Sequence, residues 1–272
     1  MRKIAFKKLH FTHSERKGRV HWKAWIALAL LIVCVSLVVY TTNLSGYQIK
    51  SVVINGAVLT DESVVRGIAE GSIEGKYFFI FPKSFFWLYP RLAIRDQIKE
   101  MPTVLDANLH LNRNINTLTI TLTERKQKYL WCKPALDREL GDCYYMDSEG
   151  FVFTHAPKIE GGIFVTFSGL IDGMPIRQYF LPKVTMSELS DFLDGISKLG
   201  LHVKSVNAIT SNEVRIALQS GAEIVFSLEK SLAPILHNLS ILVASKDFKQ
   251  ASGGVDKVQY IDLRYGSKAF WK

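Results

Sequence analysis

The fold is decided by the stretch VLDANLHLNRNINTLTITLTER, residues 104–125. Residues 104–111 alternate between apolar and polar side chains, and residues 117–123 alternate threonine with leucine or isoleucine. A period of two places one face of a strand on a core and the other in water. The polar residues 112–116 between them are predicted to turn the chain. We therefore expect an antiparallel pair of half-buried strands. Its inward side chains would be Leu105, Ala107, Leu109, Leu111, Leu118, Ile120 and Leu122.

A strand and a helix are predicted upstream of this pair. Residues 47–54 are rich in Ile and Val and end at Asn55-Gly56, a dipeptide typical of tight turns. Thr60-Asp61 can cap a helix over residues 62–70, because short polar side chains accept hydrogen bonds from the free backbone N–H groups of a first turn. Gly71 and Gly75 are expected to break the helical pattern, so the helix would end at Gly71.

A second helix is predicted between the first helix and the strand pair, over residues 85–99. Its apolar residues recur every three or four positions, as they do on one face of a helix. Pro90 is an alternative start, because proline is tolerated in a first turn. The predicted order is therefore strand, helix, helix, strand, strand.

A long apolar segment precedes these elements. Residues 24–40, AWIALALLIVCVSLVVY, contain one polar side chain, Ser36, and no charge lies between Lys23 and Lys50. About 20 apolar residues are needed to cross a membrane, so residues 24–42 are predicted to form a transmembrane helix. The alternatives are a cleaved signal peptide, which usually has a shorter apolar region, and the buried helix of a soluble domain.

The charge of the chain is concentrated before this segment. The chain carries 34 Lys and Arg against 25 Asp and Glu. Residues 1–23 hold eight of these cations and one acid, so the tail carries +7 and the rest of the chain +2. Cations accumulate on the cytoplasmic side of membrane helices, so the tail is predicted to be cytoplasmic and the rest extracytoplasmic. This reading accounts for the basic pI without a nucleic-acid partner, and we predict none.

The remaining residues, 126–272, are predicted to form strands with two helices. The first helix is expected to start with a capping box, Thr185 and Glu188, followed by a helical apolar stripe. The second covers residues 232–244. The predicted strands are 214–218, 223–228, 257–265 and 268–272.

Several short motifs resemble the FtsQ/DivIB family of bacterial cell-division proteins. In the first part they resemble the family's POTRA domain. The matching residues are Val53-Ile54-Asn55-Gly56, Met101-Pro102-Thr103-Val104, Ala107, Thr117-Leu118-Thr119-Ile120 and Glu124-Arg125. The chain departs from the family at Asn116 and at Lys126-Gln127, where prolines are usual. Later, residues 145–153 resemble the family's Asp-x-x-Gly hairpin and residues 260–265 its closing strand.

The resemblance spans about residues 20–272 and implies an α+β fold. A single N-terminal transmembrane helix would be followed by a βααββ POTRA domain over residues 47–125. A mostly antiparallel β domain with two helices would follow over residues 126–272. It also implies a single-pass protein of the bacterial inner membrane, at the division septum.

The resemblance implies that the chain would be a non-enzymatic scaffold that links division proteins and helps to regulate septal cell-wall synthesis. Its last strand would bind coiled-coil proteins of the FtsB/FtsL type, and its POTRA domain other division proteins. The expected partner-binding residues are Tyr260, Asp262, Arg264, Tyr265, Phe270 and Trp271. An exposed edge strand can accept a partner strand. The alternative is that this strand is paired internally.

Two other classes of function are alternatives to the scaffold. A POTRA protein of envelope assembly or secretion would carry further POTRA copies or a membrane barrel. An anchored hydrolase would need converging acid and base groups, yet no histidine has metal-site spacing and no cofactor motif occurs. No cofactor is therefore predicted, and Asp147 and Glu149 are expected to be solvated in a turn.

Two further features carry specific predictions. Cys132 and Cys143 flank a short loop and would form a disulfide on an oxidising side of the membrane; the alternative is two free thiols. Cys34 lies within the apolar segment. Residues 77–89, YFFIFPKSFFWLY, are strongly aromatic. These rings would either fill the core or form a patch at Phe85, Phe86 and Trp87 that contacts lipid or a partner.

Overall fold

The computed structural model describes residues 22–134, 141–158, 162–266 and 268–272. The fold is α+β, with one long apolar helix near the N-terminus and a large, mostly antiparallel sheet. The basic tail, apart from its last two residues, lies outside the described residues.

The N-terminal helix, α1, covers Trp22–Thr42. Its 21 residues make it about 31 Å long, and its most apolar window has a mean hydropathy of 2.5. Nearly all of its side chains are exposed. Within the described residues, α1 is the one helix long and apolar enough to cross a membrane. Cys34 lies exposed on it as a free thiol.

Next to α1, the chain forms a small three-stranded sheet covered by two helices. The elements are β1 (Ser51–Asn55), α2 (Glu62–Ile73), β2 (Lys76–Tyr77), β3 (Phe81–Pro82), α3 (Arg91–Lys99), β4 (Val104–Asn112) and β5 (Thr117–Glu124). The sheet order is β1-β5-β4, with β1 parallel and β4 antiparallel to β5. Val65, Ala69, Ile94 and Ile98 pack from the two helices into the core.

The predicted strand pair is present, with one correction in its pattern. Ala107, Leu109, Leu118, Ile120 and Leu122 are buried as predicted. Leu105, which was also expected to face inward, is exposed. A β-bulge between Val104 and Asp106 shifts the register, so Val104 is buried in its place.

The two helices of this unit differ from the prediction at their ends. Asp61 caps α2 as predicted, and its carboxylate accepts a hydrogen bond of 2.8 Å from Ser63 N. The helix passes through Gly71 to Ile73, so the expected end at Gly71 is wrong. Helix α3 starts after Pro90, the later of the two predicted starts.

The rest of the chain forms a nine-stranded sheet with three helices. The strands are β6 (Tyr129–Cys132), β7 (Cys143–Met146), β8 (Val152–His155), β9 (Val165–Gly169), β10 (Val203–Thr210), β11 (Glu213–Leu218), β12 (Glu223–Phe226), β13 (Tyr260–Asp262) and β14 (Phe270–Trp271). The order is β14-β13-β12-β11-β10-β9-β6-β7-β8. Neighbours are antiparallel except β9 with β10, β6 with β9 and β12 with β13, which are parallel.

The helices of this unit are α4 (Lys183–Lys198), α5 (Leu232–Ala244) and α6 (Lys246–Ser252). The predicted bounds of α5 are confirmed. The capping box predicted at Thr185 is wrong, because α4 already starts after Pro182 and Thr185 lies in its first turn. Helix α6 was not predicted. The predicted strand over residues 257–265 is reduced to β13, because a 3-10 turn precedes it and another turn follows it.

Two arginines join the two units. Arg125 follows β5, and its Nη1 donates to Asp147 Oδ2 at 2.7 Å while its Nε donates to Pro102 O at 3.1 Å. The guanidinium also lies 4.1 Å from the ring centre of Phe151. From the other side, Arg177 Nη2 donates to Glu100 O. Both arginines therefore bind backbone carbonyls near the turn that connects α3 and β4.

Candidate partner-binding site

The candidate site is built on β14, the outermost strand of the large sheet. β14 pairs with β13 on one side, through Ile261 with Trp271 and Asp262 with Phe270. Among the residues that the structure describes, no strand pairs with its other side. Edge strands leave backbone N–H and C=O groups free to bind another chain. The structure therefore places the predicted residues 270 and 271 on a free edge.

The hydrogen-bond register shows which backbone groups of β14 point outward. Tyr260 and Lys272 exchange hydrogen bonds, with N to O distances of 3.4 and 3.3 Å. Antiparallel ladders alternate between bonded and non-bonded pairs, so the adjacent pair, Ile261 with Trp271, is non-bonded. The N–H and C=O of Trp271 therefore point away from β13 and are available to an added strand.

The side chains of β14 divide between the two faces of the sheet. Opposite residues of paired strands lie on the same face, so Trp271 shares the face of buried Ile261 and Phe270 the face of Asp262. The Trp271 ring packs edge-on to Phe248 of α6, with centroids 5.7 Å apart, and Phe270 packs edge-on to Tyr265 at 5.3 Å. Tyr265, Phe270 and Trp271 remain 58%, 51% and 42% exposed.

Asp262 and Arg264 form an ion pair at the end of β13, next to this edge strand. Asp262 is buried, and Arg264 Nη2 lies 2.7 Å from its Oδ2. The backbone N of Arg264 also donates to Asp262 Oδ1 at 3.0 Å. Glu213 of β11 lies 3.5 Å from Arg264. Asp262 was expected to contact a partner. In the structure its carboxylate binds the side chain and the backbone N of Arg264, and it thereby positions the turn after β13.

The turn between β13 and β14 is tied to the body of the unit. Lys230 Nζ donates to Arg264 O at 2.8 Å, and Asn238 Nδ2 donates to Gly266 O at 3.0 Å. Tyr260, at the other end of β13, is half-exposed. Sequence reasoning missed Glu213, Lys230, Asn238 and Phe248 because no local pattern links them to the last strand.

The Asp262–Arg264 pair predicts an acid-dependent stability. Burial alone would raise the pKa of Asp262, but the hydrogen bonds and charge of Arg264 outweigh it and hold the pKa below its ordinary value of 3.8. The stabilisation is therefore present above pH 3.8 and is lost as the pH falls through the lower folded-state pKa. An Asp262→Asn variant should be less stable at pH 7 and should lose less stability than wild type between about pH 4 and pH 2. Thermal unfolding of wild type and variant across this pH range measures both effects. Equal losses of stability in the two proteins would contradict the role given to the Asp262–Arg264 pair.

The aromatic segment divides between core and surface. Phe86 is buried in the small unit, Phe85 is half-buried, and Trp87 is exposed. The Trp87 ring lies 5.1 Å from Phe85 and 6.1 Å from Phe86, but the buried Phe86 is not part of an exposed surface. The most exposed rings of the segment are instead Phe78 and Phe79, at the turn of the β2–β3 hairpin, which the sequence did not predict.

Cys132 and Cys143 lie directly opposite each other on β6 and β7 and form a disulfide in the structure. Closing a loop with a sequence separation of 11 is expected to stabilise the fold by about 3 kcal/mol in the chain-entropy model. A Cys132→Ala/Cys143→Ala variant should show a loss of that size in urea unfolding. Mass analysis after alkylation should find one blocked pair in the exported wild-type chain. Two alkylated thiols at these positions would contradict the prediction.

The hairpin around Asp147 differs from the expectation of two solvated acids. Asp147 is buried, and its Oδ1 accepts hydrogen bonds from Glu149 N at 2.9 Å and Phe151 N at 3.0 Å. Gly150 has φ +81°, and a Cβ there would lie 2.9 Å from Met186 Cγ. Glu149 is exposed and pairs with Lys183 at 2.7 Å. Asp147 therefore shapes the turn and binds Arg125.

Metal-binding side chains do not converge in the described part of the chain: no group of three or more His, Cys, Asp or Glu side chains could hold a metal ion there. The acidic groups described above are each bound to an arginine, a lysine or backbone N–H groups.

No protein-family model matches the chain, and no curated protein matches it. The resemblance to the FtsQ/DivIB family therefore stands on the short motifs and the predicted topology.

Proposed function

We propose that this chain is a single-pass scaffold of the bacterial division machinery, of the FtsQ/DivIB type. The observation that carries the proposal is β14, an edge strand whose outer side pairs with no other strand of the described residues, together with the exposed side chains of Tyr265, Phe270 and Trp271. It lies where the resemblance expects partner binding. In this proposal α1 anchors the chain in the inner membrane, with the tail cytoplasmic and both folded units outside.

Residues 47–125 would be the POTRA domain of this scaffold. Its support is the order of one strand, two helices and two strands, interrupted by the short β2–β3 hairpin between the helices, with β1 parallel to β5 and β4 antiparallel to it. In the proposal this domain docks other division proteins, while residues 126–272 bind proteins of the FtsB/FtsL type.

Partner capture would work by strand addition. An extended segment of the partner would bind the outward N–H and C=O of Trp271, which gives affinity without sequence preference. Phe270 and Trp271, on opposite faces, would contact alternate partner side chains and supply selectivity. Tyr, Trp and Arg are common binding anchors, and Tyr and Trp bury a large area with only two side-chain torsions. The chain would thereby hold partners that regulate septal wall synthesis, without catalysing a reaction itself.

Localisation of a fluorescent fusion tests the proposed function. The full chain with the fluorophore on its N-terminus should concentrate at the septum of dividing cells and co-purify with FtsB/FtsL-type proteins. A variant lacking residues 268–272 should still reach the membrane but lose these proteins. Uniform distribution around the envelope throughout the cell cycle would contradict a division role and favour envelope assembly or secretion.

A further inference from the structure

The β2–β3 hairpin presents two phenyl rings directly to its surroundings. Phe78 is 86% and Phe79 96% exposed, and Ile80 beside them is exposed as well. A tight turn forms this tip, closed by a hydrogen bond of 3.0 Å from Ile80 N to Tyr77 O. Large apolar side chains usually lie in a core, since their contact with water is unfavourable.

The backbone of this tip is also unfavourable for the residues that occupy it. Phe78 and Phe79 have φ angles of +49° and +62°, in the left-handed region. Two successive residues of this kind form turns that favour Asn-Gly, because bulky side chains are strained there. The fold therefore holds two exposed phenyl rings in a conformation that disfavours them, and packing within the described chain does not compensate for it.

The position of the hairpin indicates what compensates for the exposed rings and the unfavourable turn. β3 contacts α1, whose one buried residue is Thr42 at its end. The segment just after α1 pairs with the chain that follows the hairpin, through hydrogen bonds from Ile49 N to Ser84 O at 2.9 Å and from Phe86 N to Tyr47 O at 3.0 Å. Gln48 Nε2 also donates to Thr42 O. The hairpin is thus fixed beside the point at which the chain leaves α1.

We propose that the tip residues Phe78, Phe79 and Ile80 insert into the interfacial region of the bilayer that α1 crosses. The inserted rings would remove apolar area from water, which offsets the strained turn. Cations lie on the hairpin and near the exit from α1: Lys83 Nζ is 5.7 Å from the ring centre of Tyr77. Arg113 is 5.1 Å from the ring centre of the exposed Trp87, which itself lies 6.2 Å from Tyr47, just after α1. Basic side chains attract anionic headgroups, and tryptophan favours the membrane interface.

The consequence is a second attachment of the small unit to the membrane. If α1 were the one attachment, the folded units would be free to rotate about the point where the chain leaves the membrane. A hairpin inserted beside α1 fixes the small unit against the bilayer surface and so restricts the height and direction at which the large sheet is presented. The inference rests on the proposed anchoring by α1.

Photo-crosslinking to lipid tests the insertion and separates it from the anchoring. The full chain is reconstituted into vesicles of phosphatidylethanolamine and phosphatidylglycerol, with benzoyl-phenylalanine replacing Phe79, Val58 or Leu31 in turn. Val58 is 86% exposed but follows the far end of β1, so it is the matched control, and Leu31 reports on α1 itself. We expect lipid adducts at 79 and 31 and none at 58. Adducts at 31 without adducts at 79 would overturn the insertion alone, whereas none at 31 would overturn the anchoring and the insertion with it.

A turn replacement excludes a purely structural role for the two rings. The variant Phe78→Asn/Phe79→Gly supplies the residues that this turn favours, so its unfolding temperature should equal or exceed that of the wild type. When benzoyl-phenylalanine replaces Ile80, the yield of lipid adduct should be at least about fivefold lower in this variant than in the chain with the wild-type turn, because the two rings supply most of the apolar area of the tip. A lower unfolding temperature with an unchanged adduct at 80 would overturn the proposal, as would crosslinking of 79 to a protein instead of lipid.

Discussion

A Trp271→Pro variant is expected to lose more than about a hundredfold in affinity for an FtsB/FtsL-type partner, whereas Trp271→Ala is expected to lose about thirtyfold. Alanine removes the indole, which is 42% exposed and packs edge-on to Phe248. Proline also removes the outward N–H, so the partner strand loses one main-chain hydrogen bond worth about 1 kcal/mol. The difference between the two variants therefore measures strand addition separately from side-chain contact.

The proline is compatible with the fold because the N–H that it removes is not used by β13. The bonds that join Tyr260 and Lys272 lie on one side of the non-bonded pair, and they do not involve Trp271. Both variants should therefore unfold cooperatively, with a small loss of stability from the missing contact with Phe248.

Tyr179→Ala is the matched control for this prediction. Tyr179 is 40% exposed and packs on the ring of Phe151, just as Trp271 packs on the ring of Phe248. Tyr179 lies beside β8, however, at the opposite end of the sheet. Binding is measured by surface plasmon resonance with the full chain in nanodiscs, and folding by near-ultraviolet circular dichroism. Equal affinities of Trp271→Ala and Trp271→Pro would contradict strand addition. Wild-type affinity of both would remove β14 as the binding site.

Local patterns predicted the elements of the small unit but not their irregularities. The alternation along β4 and β5 was sufficient to predict two strands, because one face of each is buried. It could not reveal the bulge that exposes Leu105, because the extra residue is fixed by pairing with β5. The β2–β3 hairpin was missed for a different reason: Phe78-Phe79 contradicts the usual residues of its turn.

The sequence was sufficient to predict where the candidate site lies, but not what its individual residues do. The short motif at residues 260–265 located it, and the aromatic residues after it are exposed as a binding site requires. Whether β14 lies at an edge depends on the order of nine strands, three pairs of which are parallel, and no local pattern encodes that order. The burial of Asp262 depends likewise on Arg264 and on Glu213, which lies about 50 residues earlier.

The second large effect is expected at the junction between the two units. An Asp147→Ala variant should lose about 3 to 4 kcal/mol of stability, because it leaves Arg125 without its partner in a largely buried position. It also removes the acceptor of Glu149 N and Phe151 N. Asp147→Asn keeps an oxygen for these two N–H groups and loses only the charge, so it should lose about half as much.

Glu149→Ala is the control for the junction, because Glu149 lies two residues away in the same hairpin and also forms an ion pair, but an exposed one. Its pair with Lys183 should contribute less than about 1 kcal/mol. Urea unfolding gives the three stabilities. Hydrogen exchange should show faster exchange at Phe151 and around Pro102 in Asp147→Ala, because Arg125 also binds Pro102 O. If Asp147→Ala and Glu149→Ala lose the same stability, Arg125 does not hold the two units together. If Asp147→Ala alone loosens both sides, the junction couples the small unit near α1 to the sheet that carries β14, and the proposed membrane attachment would be mechanically linked to the proposed partner binding.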